Sequence, residues 1–206
     1  IEEEYPPCKL IDVGNAKRSP TSPELGSISV SCLAVILKVV SNVNNGKDRI
    51  GGDTLIIGNL LDYPEHLETV SRWVYEEFID KSSKKYEEIK EFFSKRFYDK
   101  LPITLIALKD EQCVGTISLF EGDLDTRRDL RPWLAALYVD KNYRGQGIGE
   151  ELIICVINKV EELGYHTIYL RTEHASEYYK KRKWEFVCKT KDGKGIDTEV
   201  YKYEIN

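Results

Sequence analysis

The chain has 206 residues, of which 41% are hydrophobic, and it carries a net charge of −5. This length is sufficient for one domain with an extension, and the apolar content excludes a chain that is disordered throughout. The acidic charge argues against a nucleic-acid partner, because general nucleic-acid binders present a positive field to the phosphates.

Residues 1–53 differ in composition from the rest and predict an N-terminal extension. Two proline-containing stretches come first, an apolar run follows at 28–43, and a segment rich in asparagine and glycine at 44–53 is typical of a linker. Lys38 and several serines interrupt the apolar run, which favours a buried strand or helix over a membrane span or a signal peptide. Two roles are open for the extension: an additional strand of the fold, or a contact that forms a homodimer.

Hydrophobic periodicity predicts a single domain over 54–206, in which strands and helices alternate. The expected strands lie at 54–59, 103–109, 113–120, 133–139, 167–171, 184–189 and 197–205, and the expected helices at 66–80, 83–98, 146–163 and 175–183. This order indicates an α/β fold with a mixed sheet in which some neighbouring strands are antiparallel.

The cysteines give no indication of a metal site. The five are scattered, without a Cys-x-x-Cys pair or a Cys/His cluster, so the sequence predicts neither a zinc site nor a disulfide scaffold. Reduced thiols in a cytoplasmic protein are therefore expected. No apolar segment reaches the roughly 18 uncharged residues of a spanning helix, so no membrane partner is expected.

The segment most informative about function begins where the strand at 133–139 ends. A loop with glycines at 145, 147 and 149 follows and leads into an amphipathic helix whose apolar stripe includes Ile148 and Leu152. The first amides of a helix lack intrahelical partners, and glycines let a ligand approach them closely. The segment therefore predicts a site for an anion, most simply a phosphate.

Two common phosphate motifs do not fit this loop. The dinucleotide fingerprint requires a third glycine where Glu150 stands, and the Gly-Lys-Ser/Thr of a P-loop is absent. The remaining pattern is Arg-x-x-Gly-x-Gly, beginning at Arg144. A tight turn that binds nothing is the alternative interpretation.

The pattern resembles the acetyl-CoA pyrophosphate loop of the GNAT superfamily of N-acetyltransferases. A second segment, from Ala175 through Tyr179 to Trp184, is similar to the Ala-x-x-Phe-Tyr-x-x-x-Gly-Phe motif of that family, with Lys183 in place of the usual glycine. The resemblance covers residues 54–206. It implies a GNAT fold, α/β, in which helices flank a mixed, mostly antiparallel central sheet that splays between its fourth and fifth strands to admit acetyl-CoA.

The resemblance also implies which residues hold the co-substrate. The expected acetyl-CoA site comprises the backbone of the strand end, the glycine loop and the residue after the expected fifth strand: Leu137, Tyr138, Val139, Arg144, Gly145, Gln146, Gly147, Ile148, Gly149 and Thr172. Arg144 either contacts a phosphate or faces solvent. For the basic run Lys180–Lys183, a solvated helix end is favoured over contact with the 3′-phosphate of CoA.

The expected general acid is Tyr179, which lies where the family places a tyrosine beside the thioester sulfur. A phenol there can protonate the departing thiolate; a core aromatic residue is the alternative. Asp123 and Glu173 are candidate bases or proton relays, and His174 competes with them. For each carboxylate, the alternative interpretation is that it belongs to a solvated, charged turn.

The predicted function is transfer of an acetyl group from acetyl-CoA to a primary amine of a small molecule, directly in a ternary complex and without a metal. Glu121, Asp125 and Trp133 are the expected acceptor contacts, and the acidic loop at 121–129 favours a cationic amine such as a polyamine or an aminoglycoside. Three alternatives are a protein N-acetyltransferase, a catalytically silent CoA-binding module, and a nucleotide-binding domain.

Overall fold

A computed structural model describes residues 54–205. The strands are β1 (Leu55–Asn59), β2 (Ile103–Lys109), β3 (Gln112–Phe120), β4 (Trp133–Val139), β5 (Thr167–Thr172), β6 (Glu185–Lys191) and β7 (Asp197–Glu204). The helices are α1 (Leu67–Phe78), α2 (Tyr86–Ser94), α3 (Ile148–Glu162) and α4 (Ser176–Lys180). This confirms the predicted order of elements.

The predicted helix at 83–98 is the element whose bounds differ most. The observed α2 ends at Ser94, and the chain then turns so that the Phe97 amide donates to the Pro102 carbonyl at 3.2 Å. Phe97 continues the apolar spacing of the helix, although it belongs to the connection that leads into β2. Apolar spacing alone therefore overestimated the length of this helix.

The strands form one sheet in the order β1-β2-β3-β4-β5-β7-β6, and every neighbouring pair except β4–β5 is antiparallel. The predicted α/β fold with a mostly antiparallel sheet is thus confirmed. Within the described residues, the parallel β4 and β5 share a single register pair, Trp133 with Tyr169. Beyond that pair the two strands separate, so the end of β4 has an open edge beside β5.

Helices cover both faces of the sheet. Ile103, Leu105 and Ala107 of β2 belong to the buried cluster beneath α3, whereas Ile106 and Leu108 belong to the cluster beneath α1 and α2. Successive strand residues point to opposite faces, so β2 is buried on both sides. This accounts for its nearly continuous apolar sequence.

The N-terminal extension, the homodimer and the cytoplasmic location are not decided by this architecture. The extension at 1–53 and its linker at 44–53 lie outside the described residues, so that division of the chain and a homodimer stay predictions. In the part of the chain that the structure describes, no helix is both long and apolar enough to cross a membrane.

Cys155 on α3 is disulfide-bonded whereas Cys113 and Cys188 are free. The expectation of reduced thiols is therefore wrong at Cys155, and a cytoplasmic location stays a prediction.

Candidate active site

The loop between β4 and α3 has the backbone that its glycines predict. The Asp140 side chain accepts a hydrogen bond from the Asn142 amide at 2.9 Å and thereby stabilises the turn after β4. Gly145 and Gly147 then take φ values of +75° and +81°. Residues with a Cβ adopt this left-handed region only at a cost of about 1–2 kcal/mol, so the path of the loop favours glycine at both positions.

The start of α3 offers unpaired amides. Glu150 and Glu151 donate their amides to the Gly147 carbonyl at 3.0 and 3.1 Å, and these are the first hydrogen bonds of the helix. The amides of Ile148 and Gly149 precede them, and Gly147 provides no side-chain cap. The positive end of a helix with free amides favours an anion such as a phosphate.

A cavity of about 530 Å³, which we call the loop cavity, lies beside these amides. Its lining brings together most of the predicted co-substrate residues: Leu137, Tyr138, Val139, Arg144, Gly145, Gly147, Ile148 and Gly149. Gln146 is not part of the lining, and its side-chain oxygen accepts from Lys109 at 3.3 Å. Thr172 lies in a neighbouring cavity, where its hydroxyl accepts from the Ala175 amide at 2.9 Å.

Arg144 is held against the end of β4. Its Nε donates to the Val139 carbonyl at 2.9 Å, and its guanidinium carbon lies 5.5 Å from the centre of the Tyr138 ring. That ring packs in turn against Trp73, with centroids 5.0 Å apart. Arg144 therefore lines the loop cavity and is exposed to solvent as well, so its contact with a phosphate stays a prediction.

A second cation, Arg182, which the sequence analysis considered only as part of the basic run Lys180–Lys183, lies at the loop cavity. Its guanidinium carbon lies 3.7 Å from the centre of the Tyr178 ring, one terminal nitrogen donates to Glu150 at 3.2 Å, and the residue lines the loop cavity. The prediction of a solvated helix end is wrong for this member of the basic run. Lys183 nevertheless keeps the left-handed turn of the glycine it replaces, with φ of +64°.

The strand β4 contains a bulge in its pairing with β3. Thr116 pairs with Tyr138, whereas Ser118 pairs with Ala135, so β4 has one residue more than β3 between these pairs. Ala136 lies in this bulge with φ of +51°. β-bulges redirect the backbone and are frequent beside active sites.

A smaller cavity of about 270 Å³, the central cavity, lies against this bulge. Its lining combines apolar side chains with the predicted catalytic groups Asp123, Glu173 and Tyr179. Leu137 is shared with the loop cavity, and Asp123 is shared with a third cavity of about 750 Å³, the outer cavity. The three cavities are therefore neighbours along the splayed edge of the sheet.

Tyr179 is both a packed aromatic residue and part of the central cavity. The residue is 8% exposed, and its ring lies 5.7 Å from that of Trp184. Burial raises the pKa of its phenol to about 12. The hydroxyl consequently stays protonated near neutral pH, as a proton donor must.

The two candidate bases are joined by an arginine that sequence reasoning did not identify. Arg171 Nε donates to Asp123 Oδ2 at 2.9 Å, and its Nη1 donates to Glu173 Oε1 at 2.8 Å. Burial raises the pKa of the Asp123 carboxyl, and Arg171 opposes that increase. Because Asp123 belongs to both the central and the outer cavity, it is the carboxylate better placed to meet an incoming acceptor.

The predicted acceptor residues differ in their placement. Glu121 and Asp125 line the outer cavity, but they pair with Arg131 at 2.8 Å and Arg128 at 2.7 Å. Trp133 is fully buried and donates its indole N–H to the Leu130 carbonyl at 2.7 Å. The structure therefore places Trp133 in the core and not with the acceptor residues.

One further candidate base does not join the site. His174 is exposed and absent from the linings of these three cavities. Among residues 54–205, no group of three or more His, Cys, Asp or Glu side chains is arranged to hold a metal ion.

Known proteins resemble this chain in sequence and in fold. N-acetyltransferase 8B of Homo sapiens is 35% identical over 69 residues, 34% of this chain and 30% of that protein. N-alpha-acetyltransferase MAK3 of Arabidopsis thaliana is 37% identical over 71 residues, 34% of this chain and 36% of that protein. The crystal structure of an aminoglycoside 6′-N-acetyltransferase complexed with coenzyme A has a TM-score of 0.57 and 20% identity, over 73% of this chain and 97% of that one.

The two sequence relatives are thus matched over about a third of their own length, 30% and 36%. The structural likeness shows the fold. The sequence profile of the Acetyltransferase (GNAT) family matches residues 67–183, more than half of the chain, and includes the glycine loop, the β4 bulge and Tyr179. The chain belongs to the acetyltransferase (GNAT) family.

Proposed function

We propose that this protein transfers an acetyl group from acetyl-CoA to a primary amine of a small molecule, directly and in a ternary complex. The observation that carries the proposal is that the three cavities adjoin one another and share lining residues. Together they combine an anion site at the start of α3, a protonated phenol and a half-buried carboxylate. These are the groups that acyl transfer from a thioester to an amine requires.

The residues around the loop cavity fit acetyl-CoA. The amides of Ile148 and Gly149, together with Arg144 and Arg182, provide donors and positive charge for a pyrophosphate. The open edge of β4 beyond Trp133 offers backbone groups to the pantetheine arm, as an edge strand does to an added strand. The thioester then lies at the central cavity.

Two side chains of this protein carry out the proton transfers of the reaction. Asp123 accepts a proton from the acceptor ammonium, and the resulting amine nitrogen forms a bond to the acetyl carbon. The carbon–sulfur bond breaks, and Tyr179 donates its phenolic proton to the departing thiolate. The nitrogen then loses its second proton, which restores the Tyr179 phenol, and Asp123 releases the first proton to solvent. Arg171 holds Asp123 at the junction between the central and outer cavities.

A small-molecule acceptor is supported by the outer cavity, whose volume of about 750 Å³ is within the range of small-ligand sites. A protein N-terminus is the second candidate, and its support is the resemblance to N-alpha-acetyltransferase MAK3 of Arabidopsis thaliana. A protein N-terminus carries a peptide backbone beyond its amine, whereas a small-molecule amine does not. Comparing the acetylation of free amines with that of peptides therefore distinguishes the two candidates.

Calorimetric titration with acetyl-CoA, with NAD and ATP as controls, tests the co-substrate. We expect stoichiometric binding that is selective for acetyl-CoA, followed by release of free thiol when an acceptor amine is added. Preferential binding of NAD or ATP would contradict the family's use of this loop. Binding without thiol release for any amine would instead indicate a silent CoA-binding module.

Replacing Arg182 with alanine is expected to raise the Kd for acetyl-CoA about tenfold, because a charge-assisted hydrogen bond to a phosphate is lost. Lys181→Ala is the matched control, since Lys181 is exposed and is not part of the loop-cavity lining. Calorimetry on both variants measures the effect. Equal affinities of the two variants for acetyl-CoA would exclude a contact between Arg182 and a phosphate.

A further inference from the structure

The floor of the outer cavity is apolar although its rim is charged. Ile79, Phe92, Phe120 and Leu124 contribute apolar side chains to its lining. The rings of Phe92 and Phe120 meet edge to face, with centroids 5.5 Å apart, and Phe92 is 46% exposed. A ligand that enters this cavity therefore contacts aromatic and aliphatic carbon.

The carboxylates of the neighbouring loop do not give the cavity a strong negative field. Besides the pairs of Glu121 and Asp125 described above, Asp129 binds Arg127 at 2.8 Å, and Asp123 binds Arg171 at 2.9 Å. Each acidic residue of the loop at 121–129 thus faces an arginine. Paired charges attract a distant cation much less than free ones, so this loop gives only weak support to a preference for polycations.

A buried positive charge lies directly behind the floor. Arg96 is 4% exposed, and none of its guanidinium nitrogens has a hydrogen-bond partner among the described residues. The guanidinium carbon lies 4.1 Å from the Phe92 centroid, 4.3 Å from that of Phe93 and 5.4 Å from that of Phe120. Burial lowers the pKa of Arg96 to about 10, so it stays charged at neutral pH and repels further positive charge from the floor.

We propose that the acceptor is a small primary monoamine with an aromatic or aliphatic skeleton, which lies on Phe92 and Phe120 while its amine reaches Asp123. This proposal rests on the proposed acetyl transfer and specifies its acceptor. Asp123 belongs to the central and outer cavities alike, so one end of the ligand meets the carboxylate while the other meets the apolar floor. A polyamine or an aminoglycoside would place additional ammonium groups against that floor and near Arg96.

A panel of acceptors tests this assignment. We expect phenethylamine to be acetylated with a kcat/KM at least about tenfold above those for spermidine and kanamycin, since the latter two bring desolvated charges onto apolar surface. A higher value for spermidine or kanamycin would overturn the inference while leaving acetyl transfer intact. A higher value for a peptide with an N-terminal leucine would also overturn it, in favour of a protein acceptor. Failure of every amine would contradict the proposed function itself.

Phe92→Ala tests the floor. We expect the KM for phenethylamine to rise about tenfold because ring contacts are lost, with the KM for ethanolamine, which has no ring to lose contacts with Phe92, almost unchanged. Phe186→Ala is the matched control, since Phe186 is similarly exposed, at 51%, and is not among the residues that line the outer cavity. Thermal unfolding verifies that both variants fold. Equal KM values for phenethylamine in the two variants would overturn the proposal.

Discussion

Replacing Tyr179 with phenylalanine is expected to lower kcat by about tenfold or more, with the Kd for acetyl-CoA nearly unchanged. The substitution removes a single oxygen and keeps the ring that packs against Trp184 at 5.7 Å. The departing thiolate then lacks its proton donor, whereas the loop cavity that binds the co-substrate is preserved. Steady-state kinetics and calorimetry measure the two effects separately.

Tyr178→Phe is the matched control for this variant. Tyr178 lines the loop cavity and not the central one, and phenylalanine retains the ring that contacts Arg182 at 3.7 Å. We expect a kcat within about threefold of the parent, since no proton transfer is lost. A Tyr179→Phe protein with the turnover of this control would exclude Tyr179 as the general acid.

If Tyr179 is the general acid, its raised pKa predicts how kcat depends on pH. An acid donates only while it is protonated, and with a pKa of about 12 this phenol keeps its proton throughout the usual assay range. No loss of kcat from Tyr179 is therefore expected between about pH 6 and pH 10.

Much of the fold was predictable because its signals are local. The strand β2 and the loop from Arg144 to Gly149 can each be recognised within a few residues. Apolar runs identify a strand buried on both faces, and glycines identify a turn that requires left-handed backbone. The positive φ values of Gly145 and Gly147 follow from that chemistry.

The remaining features of the site depend on pairing between distant segments. The bulge at Ala136 arises from the register of β4 against β3, and an alanine within an apolar strand gives no indication of positive φ. The link from Arg171 to Asp123 joins residues 48 positions apart. An isolated sequence shows the carboxylates of the loop at 121–129 but does not show which of them are neutralised.

The same reasoning explains the misplacement of Trp133. A tryptophan at the start of a strand beside an acidic loop is compatible with a ligand contact or with the core. Its environment is decided by Leu124, Leu130 and Val200, which pack around it from two separate segments. Val200 lies on β7, and the order of strands in the sheet brings it close to β4.

Asp123→Asn is expected to lower kcat/KM at neutral pH by about a hundredfold, because an amide cannot accept the proton of the acceptor ammonium. The Asn oxygen can still accept the hydrogen bond that Arg171 donates to Asp123 at 2.9 Å, so the local structure is expected to persist. Glu173→Gln is the comparison, since Glu173 shares Arg171 but is absent from the outer-cavity lining. We expect it to have the smaller effect.

The pH profiles of these variants identify the base. A carboxylate is the active form, so kcat/KM rises as pH increases through the pKa of Asp123, which burial moves above its usual value. Deprotonation of the acceptor amine contributes a second rise that parent and variant share, and the difference between their profiles isolates the carboxylate. Asp123→Asn should lack the lower rise and keep the shared one. If Glu173→Gln loses the lower rise instead, the proton passes to Glu173, and Asp123 positions Arg171.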